Sequence, residues 1–381
     1  MQQHQNKTEE LIQKYWDFVI QSTLKIPKGD WHSSGNQGYA LPSQYYKDYW
    51  ESDYYYNGKN RFIHYTSLHN AINIINDGFI RMNDITLLDD PQELIFAAKP
   101  FLANYNKDEF KELKRRTFSL SMCKDDNFDM WRLYGDNGRG VALVFKFFSD
   151  FGEWKGSYLS KIYYDDQEKL KVFDNLISLH DEFHTNNNIL ITEDFLSKQK
   201  KILSWISIFL AFHKTSFYKN ENEIRLLKFD FGDIKYKTTG IAKKNDFEKA
   251  AYFKLPILTK ENLEKIATER FVENLIIKEI KSIESLLDKE KIKQDIRRLY
   301  DIKNEFKNKL FDLNYEKDIN LIKEVIHKNE PIILIEKILL GYRYTIDEFG
   351  KIKNSLSEHI AKKTGFKIEI EMTSLSEQFH P

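Results

Sequence analysis

The chain has a single cysteine, no surplus of either charge and no long apolar run. Cys123 alone cannot form an intramolecular disulfide, and such a chain suits a reducing cytosol. Lysine plus arginine and aspartate plus glutamate number 58 each, so the net charge gives no argument for nucleic acid or an anionic membrane as partner. The most apolar run, residues 202–212, is too short to span a bilayer.

The first residues carry neither the basic start nor the apolar stretch of a signal peptide. We therefore expect a cytoplasmic protein with no membrane partner. Hydrophobic residues make up 41% of the chain and aromatic residues 14%, which is ample for a packed core.

Patterns along the chain predict three parts. Residues 1–58 combine an amphipathic helix with an aromatic segment, and residues 59–258 with 331–381 form a mixed domain. Residues 259–330 are rich in Lys, Glu and Ile and nearly free of Gly and Pro, so we expect a long helical insertion there. Predicted helices cover 8–24, 128–134, 166–188 and 192–214, and predicted strands cover 116–122, 141–147, 221–229, 332–340 and 366–372.

The stretch at residues 61–80 is the most informative one. Its pattern predicts a short strand that ends at Thr66, then a helix and a second strand. Ser67 is placed to cap the start of the helix, and Gly78 to provide a left-handed cap at its end. His64 and Thr66 share a strand face, because side chains alternate. Such a pair can hydrogen-bond a bound sugar or amide, although a histidine here is also typical of a packed core.

Two later strands each carry polar side chains on one face. Ser119 and Ser121 alternate with apolar residues, which fits a hydroxyl-lined site or simply a half-buried strand. Glu221, Glu223 and Arg225 alternate likewise, and such a row is often a solvated face with a weak ion pair. The spacing also suits NAD chemistry, because cleavage of the nicotinamide–ribose bond creates a cationic ribose that needs nearby negative charge. One carboxylate can stabilise that cation and the other can accept the nucleophile's proton, while Arg225 keeps their pKa low.

Residues 131–140 join aromatic side chains to a glycine-rich turn. Trp131 and Tyr134 can form a stacking wall for nicotinamide or adenine. Arg139 can pair with phosphate where the glycines let the backbone approach. The structural alternative is a helix with two core aromatics and a tight turn into the next strand, and there is no P-loop lysine.

Other chemistries have weaker support. His180 and His184 are four residues apart on a predicted helix, a spacing that can bind a metal. An aspartate rather than a glutamate follows the first histidine, so the zinc-protease pattern is not met and no metal is expected. Cys123 is expected to be a buried structural thiol.

Several motifs together resemble a bacterial family known as domain of unknown function 2971. The resemblance spans most of residues 60–258 and 331–375. The segments that carry it are HYTSL at His64, LLDDPQE at Leu87, FSLSMC at Phe118, WRLYGDNGRGVALVF at Trp131, FYKNENEIRLLKF at Phe217 and KILLGYR at Lys337.

That pattern is in turn similar to ADP-ribosyltransferases, which carry a histidine strand, a hydroxyl strand and a Glu-x-Glu strand in this order. The resemblance implies an α+β fold with split antiparallel sheets around a cleft, added helices and NAD as substrate. It implies that Glu223 is the catalytic carboxylate, that Glu221 assists the acceptor and that His64 grips the NAD ribose. The residues expected to bind NAD are His64, Tyr65, Thr66, Ser119, Ser121, Trp131, Tyr134 and Arg139. The chain mixes the features of two transferase groups, so either the serine pair or Tyr134 is the middle element of the site.

The resemblance implies a toxin or anti-phage effector that modifies a macromolecule, with RNA or DNA slightly favoured over protein. An antitoxin or regulatory partner is a further expectation. One alternative is a binding module without enzymatic activity, in which the aromatic segment and the inserted helices form the interaction surface. Another is a metal-dependent nuclease that uses Glu221, Glu223, Asp89 and Asp90.

Overall fold

The structure is a computed structural model of the chain. The residues that it describes are 2–25, 52, 54–85, 117–148, 154, 156–165, 167–229, 239–243, 249–259, 261–262 and 331–379. The aromatic segment, the pair Asp89 and Asp90 and the predicted helical insertion fall largely or wholly outside these ranges.

The chain divides into two compact units. Unit 1 contains residues Met1–His64, Arg81–Asp129 and Phe151–Lys254, and unit 2 contains Tyr65–Ile80, Met130–Asp150 and Leu255–Pro381. The predicted boundaries at residues 58, 258 and 330 follow composition rather than contacts, and they remain a prediction.

Most elements are strands and helices of moderate length. In chain order the strands are β1 (Phe62–Thr66), β2 (Phe79–Asp84), β3 (Thr117–Cys123), β4 (Val141–Phe147), β5 (Ser157–Lys161), β6 (Tyr163–Tyr164), β7 (His213–Lys214), β8 (Glu223–Phe229), β9 (Thr239–Lys243), β10 (Lys249–Pro256), β11 (Ile333–Leu340) and β12 (Glu369–Met372). The helices are α1 (Gln2–Tyr15), α2 (Leu68–Asp77), α3 (Phe128–Leu133), α4 (Gln167–Asn187), α5 (Glu193–Ile206), α6 (Ile346–Thr364) and α7 (Ser376–Phe379). Helix α1 continues through a π-helical turn, Trp16–Gln21, into Ser22–Leu24.

Strand β3 is the centre of the sheet in unit 1. It pairs antiparallel with β8 along its whole length, from Thr117 opposite Phe229 to Cys123 opposite Glu223. Its other edge pairs with β1 near Cys123 and with β2 near Phe118. Strand β5 pairs antiparallel with the far edge of β8.

The strand register decides which side chains share a face of this sheet. Residues opposite each other in an antiparallel pair project to the same side, and neighbours along a strand project to opposite sides. Ile63, Cys123 and Glu223 face one another across β1, β3 and β8. Ser121 lies opposite Arg225, and each is two residues from a member of the Cys123–Glu223 pair, so both lie on the same face as that pair. We call this side of the sheet the glutamate face.

A large apolar cluster covers part of the glutamate face. Tyr158 and Leu227, opposite each other in the β5–β8 pair, belong to the same buried cluster as α1, α4 and α5 side chains. Tyr15 of α1 is fully buried and packs edge-on against Phe183 of α4, with ring centroids 5.2 Å apart. Burial of such side chains stabilises a fold by about 1.5–3 kcal/mol each. The N-terminal helix is therefore part of the core of unit 1.

Unit 2 contains three adjacent strands, β4, β11 and β12. Strand β11 pairs antiparallel with β4 and parallel with β12. The parallel pair needs a crossover, which α6 provides. Thr345 and Glu348 form a capping box at the start of α6, and Gly365 ends the helix with φ 74°. These caps satisfy backbone groups that the helix ends would otherwise leave unpaired.

The predicted mixed α+β fold with a mostly antiparallel sheet is confirmed. The strand–helix–strand unit of residues 61–80 is present, with Ser67 accepting a hydrogen bond from the Asn70 N–H and Gly78 at φ 72°. The predicted helix at 192–214 is wrong after Ile206, because the chain continues as a 3-10 turn and then as β7. Strands β5, β6, β7, β9 and β10 were not predicted.

Candidate functional site

The strands that carry the predicted motifs are neighbours, and unit 1 contains β3, β8 and the part of β1 that ends at His64. Strand β3 with the serine pair lies between β1 with the histidine and β8 with the glutamates. The Nδ1 atom of the His64 ring lies 3.2 Å from the Ser121 carbonyl oxygen and donates to it when that nitrogen is protonated. Segments that are far apart in sequence thus meet at the Cys123 end of β3.

A buried ion network lies at the start of β8. Arg225 donates from Nε to Oε1 of Glu223 at 2.7 Å and from Nη2 to Oε2 at 3.1 Å. Lys214 lies 2.7 Å from Oε2 of Glu223 and 2.8 Å from Oε2 of Glu221. All four residues are less than a tenth exposed, and Arg225 is fully buried. Two cations and two carboxylates are therefore in direct contact in a desolvated place, which we call the glutamate network.

Backbone contacts hold the members of the glutamate network in place. Arg225 also donates from Nη1 to the Ala211 carbonyl at 2.5 Å. The N–H of Glu223 donates to the Tyr164 hydroxyl at 2.9 Å. Glu221 ends a 3-10 turn, and Asn222 follows in the left-handed region with φ 44°, a conformation that asparagine tolerates better than most residues. The predicted common strand face of Glu221 and Glu223 is wrong because β8 begins at Glu223, and Lys214 joins the two carboxylates instead.

The cations decide the ionisation of Glu223. Burial alone raises the pKa of this carboxyl, but the charges of Arg225 and Lys214 and their hydrogen bonds outweigh burial and lower the pKa to about 2. Glu223 is therefore an anion at neutral pH although it is only 4% exposed. The predicted effect of Arg225 on this carboxylate agrees with the direction of the shift.

Cys123 lies beside the same carboxylates. Its thiol donates to the Glu221 carbonyl oxygen, with the two atoms 3.6 Å apart. Burial first, and then the charges of Glu223 and Glu221, raise the pKa of the thiol to about 12. A thiol that stays protonated is a poor nucleophile, so Cys123 has the character of a structural residue.

His64 projects from the side of the sheet opposite to the glutamate face. It directly follows Ile63, which lies opposite Cys123, and Cys123 in turn lies opposite Glu223. His64 is half-buried. Burial lowers its pKa, and the hydrogen bond with the Ser121 backbone partly offsets that effect, so the ring is neutral near pH 7. A joint role of His64 and Glu223 at one ribose remains a prediction, and the strand register does not bring the two side chains together.

The two serines of β3 differ in exposure. Both lie on the glutamate face, Ser121 opposite Arg225 and Ser119 opposite Leu227. Ser119 is buried, and its hydroxyl has no hydrogen-bond partner among the described residues. Ser121 is exposed, so solvent reaches the glutamate face beside Arg225.

The remaining predicted NAD-binding residues belong to unit 2. Trp131 is fully buried and packs edge-on against Tyr65, with ring centroids 5.1 Å apart. Thr66 is buried, whereas Tyr134 is 44% exposed. The Arg139 guanidinium lies 3.8 Å from the Glu348 carboxylate at the surface. Of these five residues, Tyr134 and Arg139 are therefore the two that solvent reaches readily.

Close packing within unit 2 explains why glycine occupies two positions of the 131–140 segment. Gly138 has φ 82°, and a Cβ there would overlap the Tyr342 ring. A Cβ on Gly140 would overlap the Thr66 carbonyl oxygen. The structural alternative given for this turn thus accounts for both positions without a bound phosphate.

Sequence reasoning missed Lys214 and Tyr164. Lys214 is the last residue of the predicted helix 192–214, and Tyr164 lies between the predicted strand 141–147 and the predicted helix 166–188. The isolated lysine at the end of the apolar run 202–212 was a signal, because a charge so close to a core segment usually has a partner.

His180 and His184 lie side by side on α4, with ring centroids 4.5 Å apart. His180 interacts through Nδ1 with the Tyr15 hydroxyl at 3.0 Å, and His184 through Nε2 with the Gln199 amide oxygen at 2.8 Å. Both rings thus serve the contact of α4 with α1 and α5. Within the described ranges, no three His, Cys, Asp or Glu side chains gather as a metal site.

Comparison with known proteins gives a partial match. A family model described as Protein of unknown function (DUF2971) matches residues 130–226, from α3 to the first half of β8. This stretch contains the WRLYG segment and the Glu-x-Glu-x-Arg motif, and it is shorter than the extent expected from the motifs. No curated protein and no solved structure matches the chain. Among the described helices, none is both long and apolar enough to cross a membrane.

Proposed function

We propose that the chain is an NAD-dependent mono-ADP-ribosyltransferase that modifies a macromolecule. The observation that carries this proposal is the adjacency of β1, β3 and β8, since these three strands hold the histidine, hydroxyl and Glu-x-Glu motifs. Of the three motifs, only the Glu-x-Glu motif lies within residues 130–226, the range that the DUF2971 family model matches. Split sheets around a cleft, as in known transferases, belong to the proposal.

In this proposal Glu223 stabilises the cationic ribose. The nicotinamide leaves with the electrons of the glycosidic bond, and an acceptor nucleophile forms the new bond to the same ribose carbon. Glu221 takes the proton of that nucleophile. An ionised carboxylate can accept about four hydrogen bonds. The Glu223 carboxylate accepts two from Arg225 and one from Lys214. One position on Oε1 is left for a ribose hydroxyl, and covering side chains must move to admit it because Glu223 is buried.

Other groups have supporting roles in this proposal. The exposed Ser121 hydroxyl lies on the glutamate face beside Arg225 and hydrogen-bonds the bound ribose or amide. His64 acts as a positioning residue that holds β1 against β3 through the Ser121 carbonyl. The favoured acceptor is RNA or DNA, held by exposed aromatic side chains and interspersed Lys and Arg, and an effector in toxin or anti-phage systems is the proposed setting.

The test is transfer of label from NAD that is radioactive in its adenylate phosphate. The purified chain is incubated with RNA, DNA or a cell lysate, and released nicotinamide is measured in parallel. Glu223→Gln and Ser121→Ala are the site variants, and Glu336→Gln is the matched surface control. Loss of a group that acts only in the transition state should lower turnover about a hundredfold or more. Absence of both transfer and nicotinamide release with every acceptor would contradict the proposal.

A second candidate is a binding module without turnover. The observation that favours it is the closed glutamate network, in which both oxygens of Glu223 already have cationic partners. It predicts that NAD is not cleaved. It also predicts that a charge-balanced pair of substitutions in the network leaves the cellular phenotype intact.

A further inference from the structure

Lys214 connects the two carboxylates of the glutamate network. Its ammonium group lies 2.8 Å from Oε2 of Glu221 and 2.7 Å from Oε2 of Glu223. Its side chain is only 9% exposed. Neither distance leaves room for a water molecule between the ions, so each contact is a direct, charge-assisted hydrogen bond.

The backbone around Lys214 is anchored. Strand β7 pairs parallel with β6, with Lys214 opposite Tyr164. The N–H of Asp165 donates to the Lys214 carbonyl at 3.0 Å. The ammonium group also lies 5.3 Å from the centre of the Tyr218 ring, within the range of a cation–π contact. The lysine therefore approaches both carboxylates from a fixed base.

The contacts of Arg225 differ from those of Lys214. Arg225 binds Glu223 through two nitrogens and the Ala211 carbonyl through a third. Lys214 is the cation that these contacts place on Glu221 and Glu223 at once. Loss of its charge would therefore remove a direct cationic partner from both buried carboxylates at once. Loss of an opposite charge at this distance raises the pKa of a carboxyl, and the nearby like charge of the second carboxylate acts in the same direction.

We propose that Lys214 is the positioning residue that holds Glu221 and Glu223 together and keeps both ionised for the reaction. This inference rests on the proposed transferase function. Glu221 then remains a proton acceptor while Glu223 remains an anion, which is the division of roles that the transfer requires. Lys214 itself touches neither NAD nor the acceptor.

The first experiment compares Lys214→Met, which keeps the length and removes the charge, with Lys214→Arg, which keeps the charge. The readout is the pH dependence of kcat/KM for nicotinamide release. The acid limb of this profile reports the essential carboxylate of the free enzyme. In Lys214→Met it should move to higher pH by about one to three pH units, the effect of losing an opposite charge at this distance. Lys214→Arg should return the limb toward its wild-type position.

A lysine that only supports the fold would act differently. Lys214→Met would then lower the amount of active protein but leave the acid limb where it is in the wild type. That result would overturn the inference. If Lys214→Met does not fold, the double variant Lys214→Met with Glu221→Gln restores the balance of charge. It should fold and retain an ionised Glu223, and a double variant no more stable than Lys214→Met would also count against the inference.

A second experiment separates this inference from the proposed function. The carboxyl carbons of glutamate are labelled with 13C, and their NMR shifts are followed against pH in wild type, Lys214→Met and Glu221→Gln. One of the two network carboxyls should titrate at higher pH in Lys214→Met. If it does while the wild type never cleaves NAD, the inference about the ionised pair stands and the transferase proposal fails. If neither carboxyl responds to loss of the lysine, the inference fails whatever the activity.

Discussion

Substitution of Glu223 by glutamine should destabilise unit 1 strongly. The change keeps the size of the side chain and removes the negative charge to which Arg225 and Lys214 donate. Arg225 is fully buried, so its charge cannot turn to water instead. Removal of one partner from a buried ion pair costs about 3–5 kcal/mol, because the other charge stays buried without compensation.

The ionisation of Glu223 leads to a similar magnitude. Its pKa is lowered from 4.5 to about 2, which corresponds to about 3 kcal/mol of folding free energy at about 1.4 kcal/mol per pH unit. Because the pKa is lower in the folded state, this stabilisation is complete above about pH 4.5 and disappears as the pH falls toward 2. The difference between wild type and Glu223→Gln should shrink over the same interval.

The assay is urea unfolding at pH 7, with the free energy of unfolding taken from the midpoint and the slope. Glu336→Gln is the matched control, since Glu336 lies only 2.6 Å from Lys146 but both side chains are about one third exposed. An exposed pair contributes at most about 1 kcal/mol. The reasoning is refuted if Glu223→Gln loses no more stability than Glu336→Gln, because burial would then not determine the strength of the pair.

Substitutions at three further sites test other parts of the fold. Burial first, and then the charge of His184, lowers the pKa of His180 from 6.5 to about 4. The free energy of unfolding should therefore decrease by at most about 1.4 kcal/mol per pH unit as the pH falls from 6.5 to 4. The melting temperature of His180→Gln should lack this pH dependence. Thr345→Ala removes the capping box of α6 and should cost about 1 kcal/mol in urea unfolding, whereas Thr345→Ser should cost much less. Gly140→Ala forces a Cβ against the Thr66 carbonyl and should cost about 1–3 kcal/mol or more, so an unchanged melting temperature would contradict the packing described for this turn.

Local signals predicted the parts of the fold that local physics decides. Residues 61–80 contain a cap residue, an apolar stripe and a glycine at the position where the chain needs positive φ, and all three function as expected. The strand at Val141–Phe147 was predicted with its observed bounds, because it is a continuous apolar run that is buried almost throughout. In both cases residues close in sequence carry the information.

The parts of the fold and of the candidate site that were not predicted depend on contacts between residues far apart in sequence. The sequence indicated that Glu221, Glu223 and Arg225 form one row, but the left-handed Asn222 breaks the strand between the two glutamates. The face on which His64 lies depends on its register with β3, and a shift of one residue would reverse that face. The helix predicted through residue 214 ends at Ile206, eight residues before Lys214. Lys214 lies instead in β7, and its contacts with the two glutamates could not be predicted from the helical pattern.

The seclusion of Cys123 makes the chain convenient for site-specific labelling. It is the sole sulfhydryl in 381 residues, it is 8% exposed and it resists deprotonation. A maleimide dye should therefore attach to a cysteine introduced on the surface with little background from the native protein. Slow modification of the native thiol itself would report transient opening of the strand at the centre of unit 1.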